Sequence, residues 1–435
     1  MTAVDSYTPD SGTTMLRVEH YDLTLDYRIA PNRLAGHARL RVRLLEDTSA
    51  FELDLAGLQV SKAIVDGTRA RWRQRGRKLI VQPRRTYQRG TVSTVEISYA
   101  GNPQPAMGMW GDVGWEELTD GVLVAGQPNG AATWFPCNDH PSNKADFRIS
   151  VLVESPYAVI SNGRLVSTSR KAGRTRWVWE SQAPLAPYLA TVQIGQYETT
   201  ELAPAQRPGP VPMSIACSRG LRERAQRALG KQHDMMRIFS DWFGPYPFEH
   251  YGVVITDDVL EIPLESQPLS ILGPNHLAAT WEAERLVAHE MAHQWFGNSL
   301  TLTHWSDIWL NEGFACYAEW LWAQAAGRGR TDELARIHWD LLDSQRQDLV
   351  LADPGPADMF DDRIYKRGAL TLHALRLRIG DEWFRRLLRG WTQRYRHGYV
   401  TTADFLDLAA EVTGSSVAPI VDPWLYEERL PQLPS

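Results

Sequence analysis

Apolar and polar positions alternate with period two through the first part of the chain. Leu23, Leu25, Tyr27 and Ile29 alternate with polar residues, and Ala38, Leu40, Val42 and Leu44 interleave with His37, Arg39, Arg41 and Arg43. Phe51, Leu53 and Leu55 follow the same rule, as do Val95, Ile97 and Tyr99, and Phe147, Ile149, Val151 and Val153. Such a pattern puts one face of each strand inward and the other in water, so it predicts an antiparallel β domain. Turn signals, Asp66-Gly67 and Ala100-Gly101-Asn102, separate the runs. The last clear β segment is Tyr188 to Tyr197, and a Pro-rich stretch, Pro204 to Pro212, comes after it. The expected boundary lies there: residues 1–200 as the β domain, ordered from about residue 15, and residues 201–435 as a second domain. Beyond it the spacing turns helical, at Arg222–Trp242, Trp281–Phe296, Asp307–Ala326, Glu333–Gln345, Gly368–Ile379, Glu382–Arg396 and Ala403–Val412. A short β stretch, Gly252 to Ile271, interrupts the helices, and no internal repeat or low-complexity segment is present. The expected class is α+β with more than one domain.

Composition narrows the function classes. With 435 residues the chain is long for one core, and 43% hydrophobic with 23% charged residues is ordinary for a folded protein. The formal net charge of −6 gives no reason to expect a nucleic-acid or anionic-membrane partner. The even spacing of Arg69, Arg71, Arg73, Arg75, Arg77 and Lys78 reads as the solvated face of a strand pair rather than a polyanion site. The 17 Trp read as bulky core and interface packing. Cys137, Cys217 and Cys316 cannot build a disulfide framework. The polar start, Met1 to Thr14, lacks the basic and apolar regions of a secretory signal, and no apolar run reaches the ~18 residues of a membrane span. A cytoplasmic protein is the expectation from these three features.

The decisive segment is Val287-Ala288-His289-Glu290-Met291-Ala292-His293-Gln294-Trp295-Phe296-Gly297-Asn298. Thr280 is placed to cap its helix, Glu282 and Glu284 suit the positive N-terminus, and Gly297-Asn298 suits its end. Four residues apart on a helix, His289 and His293 project from one face and supply half of a tetrahedral zinc site. Glu290 lies about a quarter-turn round, where it reaches a water at the metal without taking a ligand place. Asn311-Glu312-Gly313-Phe314 opens the next predicted helix, eighteen residues separate His293 from Glu312, and a loop with a return helix can bring Glu312 to the metal. Two His and one carboxylate leave a fourth position open, the arrangement of a catalytic rather than a structural zinc. Glu319, seven residues on and near the same helix face, is either a hydrogen-bond partner of a ligand His or a solvated surface carboxylate.

These residues resemble the zinc aminopeptidases typified by aminopeptidase N and leukotriene hydrolase. The likeness rests on His289 to Asn298 and on Trp309-Leu310-Asn311-Glu312-Gly313-Phe314-Ala315. It extends to Trp242-Phe243-Gly244-Pro245-Tyr246-Pro247-Phe248, Phe135-Pro136-Cys137-Asn138-Asp139 and Tyr365-Lys366-Arg367-Gly368-Ala369, and covers about Arg17 to Leu433. It implies an N-terminal antiparallel β domain of saddle-like shape followed by a mainly helical, thermolysin-like catalytic domain with one zinc per chain. Two departures stand out. The family's G-x-M-E-N segment appears as Ile262-Pro263-Leu264-Glu265-Ser266, which keeps only the Glu. Long members also continue into a C-terminal helical domain over the active site, whereas this chain stops at Ser435, implying a more open cleft or cover from another subunit.

The resemblance implies that Glu290 acts as general base and that the phenol of Tyr365, matched to the family's Y-x-K-G pattern, stabilises the oxyanion. On residues alone, Tyr365 reads as a loop tyrosine before Lys-Arg. Glu265 is the candidate anion for the substrate's α-ammonium, with Gln127 as a second partner from the β domain. Pro263 and Pro268 mark the Glu265 strand as an edge, which suits pairing with an extended peptide. The expected function is removal of N-terminal residues from peptides with a free N-terminus, by a monomer. The rivals are a zinc endopeptidase, an epoxide hydrolase-type activity and a catalytically silent binding scaffold. The intact Glu290 and ligand set argue against the last.

Overall fold

The structure, a computed structural model, describes residues 4–207 and 209–434. Its first half is built on an eight-stranded sheet in the order Arg164–Lys171, Arg174–Glu180, Asp146–Glu154, Leu16–Arg28, Arg33–Leu44, Val92–Gly101, Gln59–Val65, Thr68–Arg69. Period-two patterning does its expected work here. In Arg33–Leu44 exposed and buried positions alternate without a break, and Leu23, Leu25, Leu40, Val42, Val95 and Ile97 are fully buried. Each such side chain contributes about 1.5–3 kcal/mol relative to exposure. The expectation of a purely antiparallel sheet needs one correction. Leu16–Arg28 pairs with Asp146–Glu154 in parallel, Leu23 opposite Ile149. Alternation reports which face is buried, not the direction of the neighbouring strand, so the pattern could not distinguish the two.

A second sheet of five strands includes Gly111–Leu118 and Gly121–Ala125. A third runs Glu198–Glu201, Met213–Cys217, Tyr251–Ile255, Leu269–Leu272, Leu264–Ser266, with Leu264–Ser266 at its edge. The basic run lies where the chain forms Thr68–Arg69, Arg71–Arg75 and Lys78–Gln82; Arg71, Arg73 and Arg75 face solvent. Arg77 and Lys78 instead turn inward to Asp139 at 3.1 Å and Asp54 at 2.9 Å. The three cysteines are free and buried.

Among the described residues the second half carries α1 (Arg222–Leu229), α2 (Gln232–Phe243), α3 (Trp281–Ala292), α4 (Trp309–Ala325), α5 (Thr331–Asp343), α6 (Asp362–Ile379), α7 (Asp381–Arg394), α8 (Thr402–Thr413) and α9 (Ala418–Tyr426). The single helix expected over Arg222–Trp242 is broken at Gly230 into α1 and α2. Helix α6 starts six residues before the expected Gly368, because Asp361 caps it by accepting the Arg363 N–H. Helix α9 was not expected, since Pro419 and Pro423 mask its pattern.

Helix α4 is buried on every side from Trp309 to Ala323. It crosses α6 at a glycine contact: a Cβ on Gly313 would lie 2.7 Å from the Gly368 Cα, and the reverse holds for Gly368. Only two glycines permit this backbone approach. It brings the turn of α6 that precedes Gly368, with Tyr365, against the turn of α4 that holds Glu312. The β half grips the turn after α3. Lys144 Nζ donates to the carbonyls of Asn298 (2.8 Å), Ser299 (2.8 Å) and Gly398 (3.2 Å), and the Tyr188 hydroxyl donates to Gly297 O (3.2 Å).

Candidate active site

Helix α3 begins at Thr280, whose hydroxyl accepts the Ala283 N–H at 3.3 Å, with Glu282 and Glu284 in its first turn. Its last turn presents His289, and His293 follows at its C-cap; the two rings lie 4.7 Å apart. Both Nε2 atoms face the same carboxylate oxygen of Glu312, at 3.3 Å from His289 and 3.5 Å from His293. All three side chains are buried, and their donor atoms lie within 4.8 Å of one another. No other group of three such side chains among the described residues is placed to hold a metal.

Hydrogen bonds behind the rings set their tautomers. His289 Nδ1 lies 2.7 Å from Glu319 Oε1, and His293 Nδ1 lies 3.0 Å from Phe296 O. A carboxylate and a carbonyl can only accept, so each Nδ1 carries hydrogen and each Nε2 is the ring nitrogen left to bind a metal beside Glu312. Arg285, one turn before His289, donates to the other oxygen of Glu319 at 2.6 Å. Glu319 is therefore buried between a ligand imidazole and a guanidinium, not solvated.

Electrostatics show a cluster arranged for a cation. Burial would raise the Glu312 carboxyl, but the imidazoles of His293 and His289 hold it down at about 2. Glu319 is likewise held at about 2, by His289 and Arg285 against its burial. Burial would lower the imidazoles, yet the carboxylates lift His289 to about 9 and His293 to about 10. A divalent cation held by the three donors would satisfy the same carboxylate and free the imidazoles of their protons. The buried two-imidazole, one-carboxylate set fits zinc.

Glu290 lines the same cavity as the cluster. Its Oε2 is buried with no hydrogen-bond partner among the described residues. Burial pushes its carboxyl up to about 7, against the pull of His293 and His289. Tyr365 lies in the first turns of α6 rather than in a loop, its ring stacked near His289 with centroids 5.9 Å apart and planes 24° apart. Burial and then the carboxylates of Glu312 and Glu265 raise its phenol well above the ordinary value. Glu265 sits in the middle of the edge strand, opposite Ser270. Gln127, two residues past Gly121–Ala125, donates from Nε2 to Glu265 Oε1 at 2.8 Å. Gln127, Glu265, His289, Glu290, Glu312 and Tyr365 line one cavity of about 490 Å³.

Comparison with known proteins agrees with this geometry. Residues 17–189 match the peptidase M1 N-terminal domain and residues 227–424 the peptidase family M1 domain. The crystal structure of the M1 zinc metallopeptidase from Deinococcus radiodurans is 32% identical and superposes with a TM-score of 0.90 over 99% of both chains. The chain belongs to peptidase family M1. The native yeast LTA4 hydrolase structure shares its fold, at TM-score 0.81 and 21% identity, over 97% of this chain and 69% of that one. The leucyl aminopeptidase of Saccharolobus solfataricus is 24% identical over 96% of this chain and 54% of its own length. The chain thus spans about half the length of the curated relatives it matches.

As an M1 member the chain carries features that its motifs did not announce. Arg285 had a signal, four residues before His289 on one helix face. Trp110 had none. It reaches across the cavity mouth from the β half, its Nε1 donating to Pro356 O at 2.8 Å and its ring edge-to-face with Phe360 at 6.2 Å. The remaining Trp mostly fill the core, Trp295, Trp305 and Trp309 among the fully buried ones. No helix among the described residues is long and apolar enough to cross a membrane.

Proposed function

We propose that this M1 chain is a zinc aminopeptidase that removes the N-terminal residue from peptides. The observation that carries the reading is the Gln127–Glu265 pair at 2.8 Å, in the same cavity as the His289, His293 and Glu312 cluster. A carboxylate at a set place beside the ligand cluster recognises a free α-ammonium and admits one residue between that end and the scissile bond. The edge strand around Glu265 offers its open side to an extended peptide. The names of the curated relatives agree, and a mutant of the Deinococcus radiodurans enzyme has been crystallised with a Tyr-Ser-Ala substrate.

His289, His293 and Glu312 would hold zinc, which when bound would supply Lewis acidity toward the scissile carbonyl and the attacking water. Glu290 Oε2 takes the proton of the attacking water and passes it to the departing amine nitrogen. The Tyr365 hydroxyl, kept protonated by its surroundings, donates to the carbonyl oxygen as negative charge develops there. Glu319 and Phe296 O hold the two imidazoles in the Nδ1–H form.

The test compares wild type and Glu265→Gln on free and N-acetylated forms of one substrate. A charge-assisted hydrogen bond of roughly 1.5–3 kcal/mol corresponds to about 10–100-fold in kcat/KM. Glu265→Gln should lose that factor on the free amine and change little on the acetylated form, which is already poor. Efficient cleavage of the acetylated substrate by wild type would make the chain an endopeptidase.

A further inference from the structure

Recognition at Glu265 requires the edge strand to stay at one distance from α3, and the strand cannot ensure this alone. Leu264–Ser266 is three residues long, pairs on one side only, and is flanked by Pro263 and Pro268. Few ladder hydrogen bonds hold so short an edge. Side chains from both halves of the molecule converge on Ser266 instead. Its carbonyl accepts from Gln294 Nε2 at 3.1 Å and from Asn298 Nδ2 at 2.7 Å. Gln294 is the residue after the ligand His293, and Asn298 lies in the turn that Lys144 grips. On the opposite side, the Ser266 hydroxyl donates to Leu189 O at 2.7 Å and accepts from Asn162 Nδ2 at 3.1 Å. Asn162 also donates to Gln267 O at 2.7 Å.

The amide orientations on the α3 side are set by this one carbonyl. Both side chains are fully buried, yet Gln294 Oε1 and Asn298 Oδ1 find no hydrogen-bond partner among the described residues. Leaving two acceptors unsatisfied is costly, and flipping either amide would set an oxygen against Ser266 O. Two donors aimed at the residue next to Glu265, from the turn that contains His293, form a rigid link between amine anchor and ligand cluster.

We propose that Gln294 and Asn298 are positioning residues that set the distance from Glu265 to the metal ligands, and so enforce cleavage after one residue. The proposal rests on the aminopeptidase reading. Neither side chain lines the cavity, so both act through Ser266. A displacement of about 1 Å at such a site costs up to about 100-fold.

The experiment uses the full chain loaded with zinc and the variants Gln294→Met and Asn298→Leu, each close to isosteric and lacking the donor. Gln294→Asn, which withdraws the donor by one methylene, replaces Gln294→Met if that variant does not fold. Zinc content and Tm are measured with kcat and KM on free-amine and N-acetylated forms of one substrate. The expected result is bound zinc, a folded protein, and a preference for the free amine reduced about 10–100-fold, with KM rising on the free amine only. Adding Glu265→Gln should lower activity no further than Glu265→Gln alone does. A merely structural role predicts parallel losses on both substrates, which would overturn the proposal, as would an unchanged preference in folded, zinc-loaded variants. A wild type indifferent to acetylation would remove the aminopeptidase reading and this proposal together; a selective wild type with selective variants would remove this proposal alone.

Discussion

Replacing Glu319 by glutamine tests how the ligand set is held, without touching a ligand. The carboxylate accepts two hydrogen bonds, from His289 Nδ1 at 2.7 Å and from Arg285 at 2.6 Å. An amide of the same shape has one oxygen and one NH2. If its oxygen stays with Arg285, its NH2 faces His289 Nδ1 and favours the tautomer with hydrogen on Nε2, which cannot ligate. If its oxygen stays with His289, the NH2 opposes a buried guanidinium. Either way the imidazole loses the anion that makes it a stronger donor. Loss of such a partner behind a ligand typically weakens metal affinity by 10–100-fold, or about 1.4–2.7 kcal/mol. Zinc affinity should be measured by competition with a chromophoric chelator, with the Tm of the metal-free protein recorded alongside. The expected outcome is weaker zinc binding by that factor, and activity restored by excess zinc. Affinity within about twofold of wild type, in a folded variant, would refute the role assigned to Glu319.

Three further outcomes follow from the geometry. Glu290→Gln keeps the shape but not the basicity, so kcat should fall at least ~10²-fold with zinc retained; near-normal turnover would assign water activation elsewhere. Tyr365→Phe should lower kcat by roughly 10²–10³ with little change in KM; a raised KM at constant kcat would make Tyr365 a ground-state binding group. His373 is buried in α6, and burial holds its imidazole at about 4. The unfolded chain takes up that proton near pH 6.5, so the stabilisation present above that pH is lost as pH falls toward 4, by about 3 kcal/mol at most. The pH dependence of Tm in metal-free protein should flatten in His373→Phe, and superimposable profiles would contradict this.

How much of the molecule could be read beforehand depends on how local each signal is. The spacing of His289, Glu290 and His293 acts within one helical turn, so periodicity alone placed all three. The first-half strands were legible because burial follows residue alternation within a strand. The parallel pairing of Leu16–Arg28 with Asp146–Glu154 was not, because it depends on a connection over a hundred residues long. Glu319 stayed ambiguous for a related reason. Seven residues after Glu312 it shares a helix face, but whether that face meets water depends on α3 and α6 packing around α4. Tyr365 was visible through its resemblance to a motif, and its helical setting was missed because the helical spacing was read only from Gly368 onward, whereas the helix starts at Asp362. The structure shows Gly368 as one half of the contact with Gly313 that lets α4 and α6 approach.

The least legible layer is the one that, on the aminopeptidase reading proposed above, sets the distance between Glu265 and the metal-binding cluster. Ligands are conspicuous because only a few side-chain types can bind zinc, whereas the contacts at Ser266 end on a backbone carbonyl that every residue possesses. Ser266 stands where the resembling family has asparagine, which alone suggests a weakened segment. In the structure the shorter hydroxyl bonds Leu189 and Asn162, while the carbonyl is held by Gln294 and Asn298. The strand that carries Glu265 is thus supported from the β half and from the end of α3 at once, and Lys144 joins the same two bodies nearby. Burial pushes the Lys144 ammonium well below the ordinary lysine range, a cost borne by three carbonyl contacts that include the turn containing Asn298. A buried lysine with no carboxylate partner among the described residues is a poor choice for stability alone. It is intelligible as a strut that keeps the end of α3, and with it the edge strand, at a set distance from the β half that supplies Gln127.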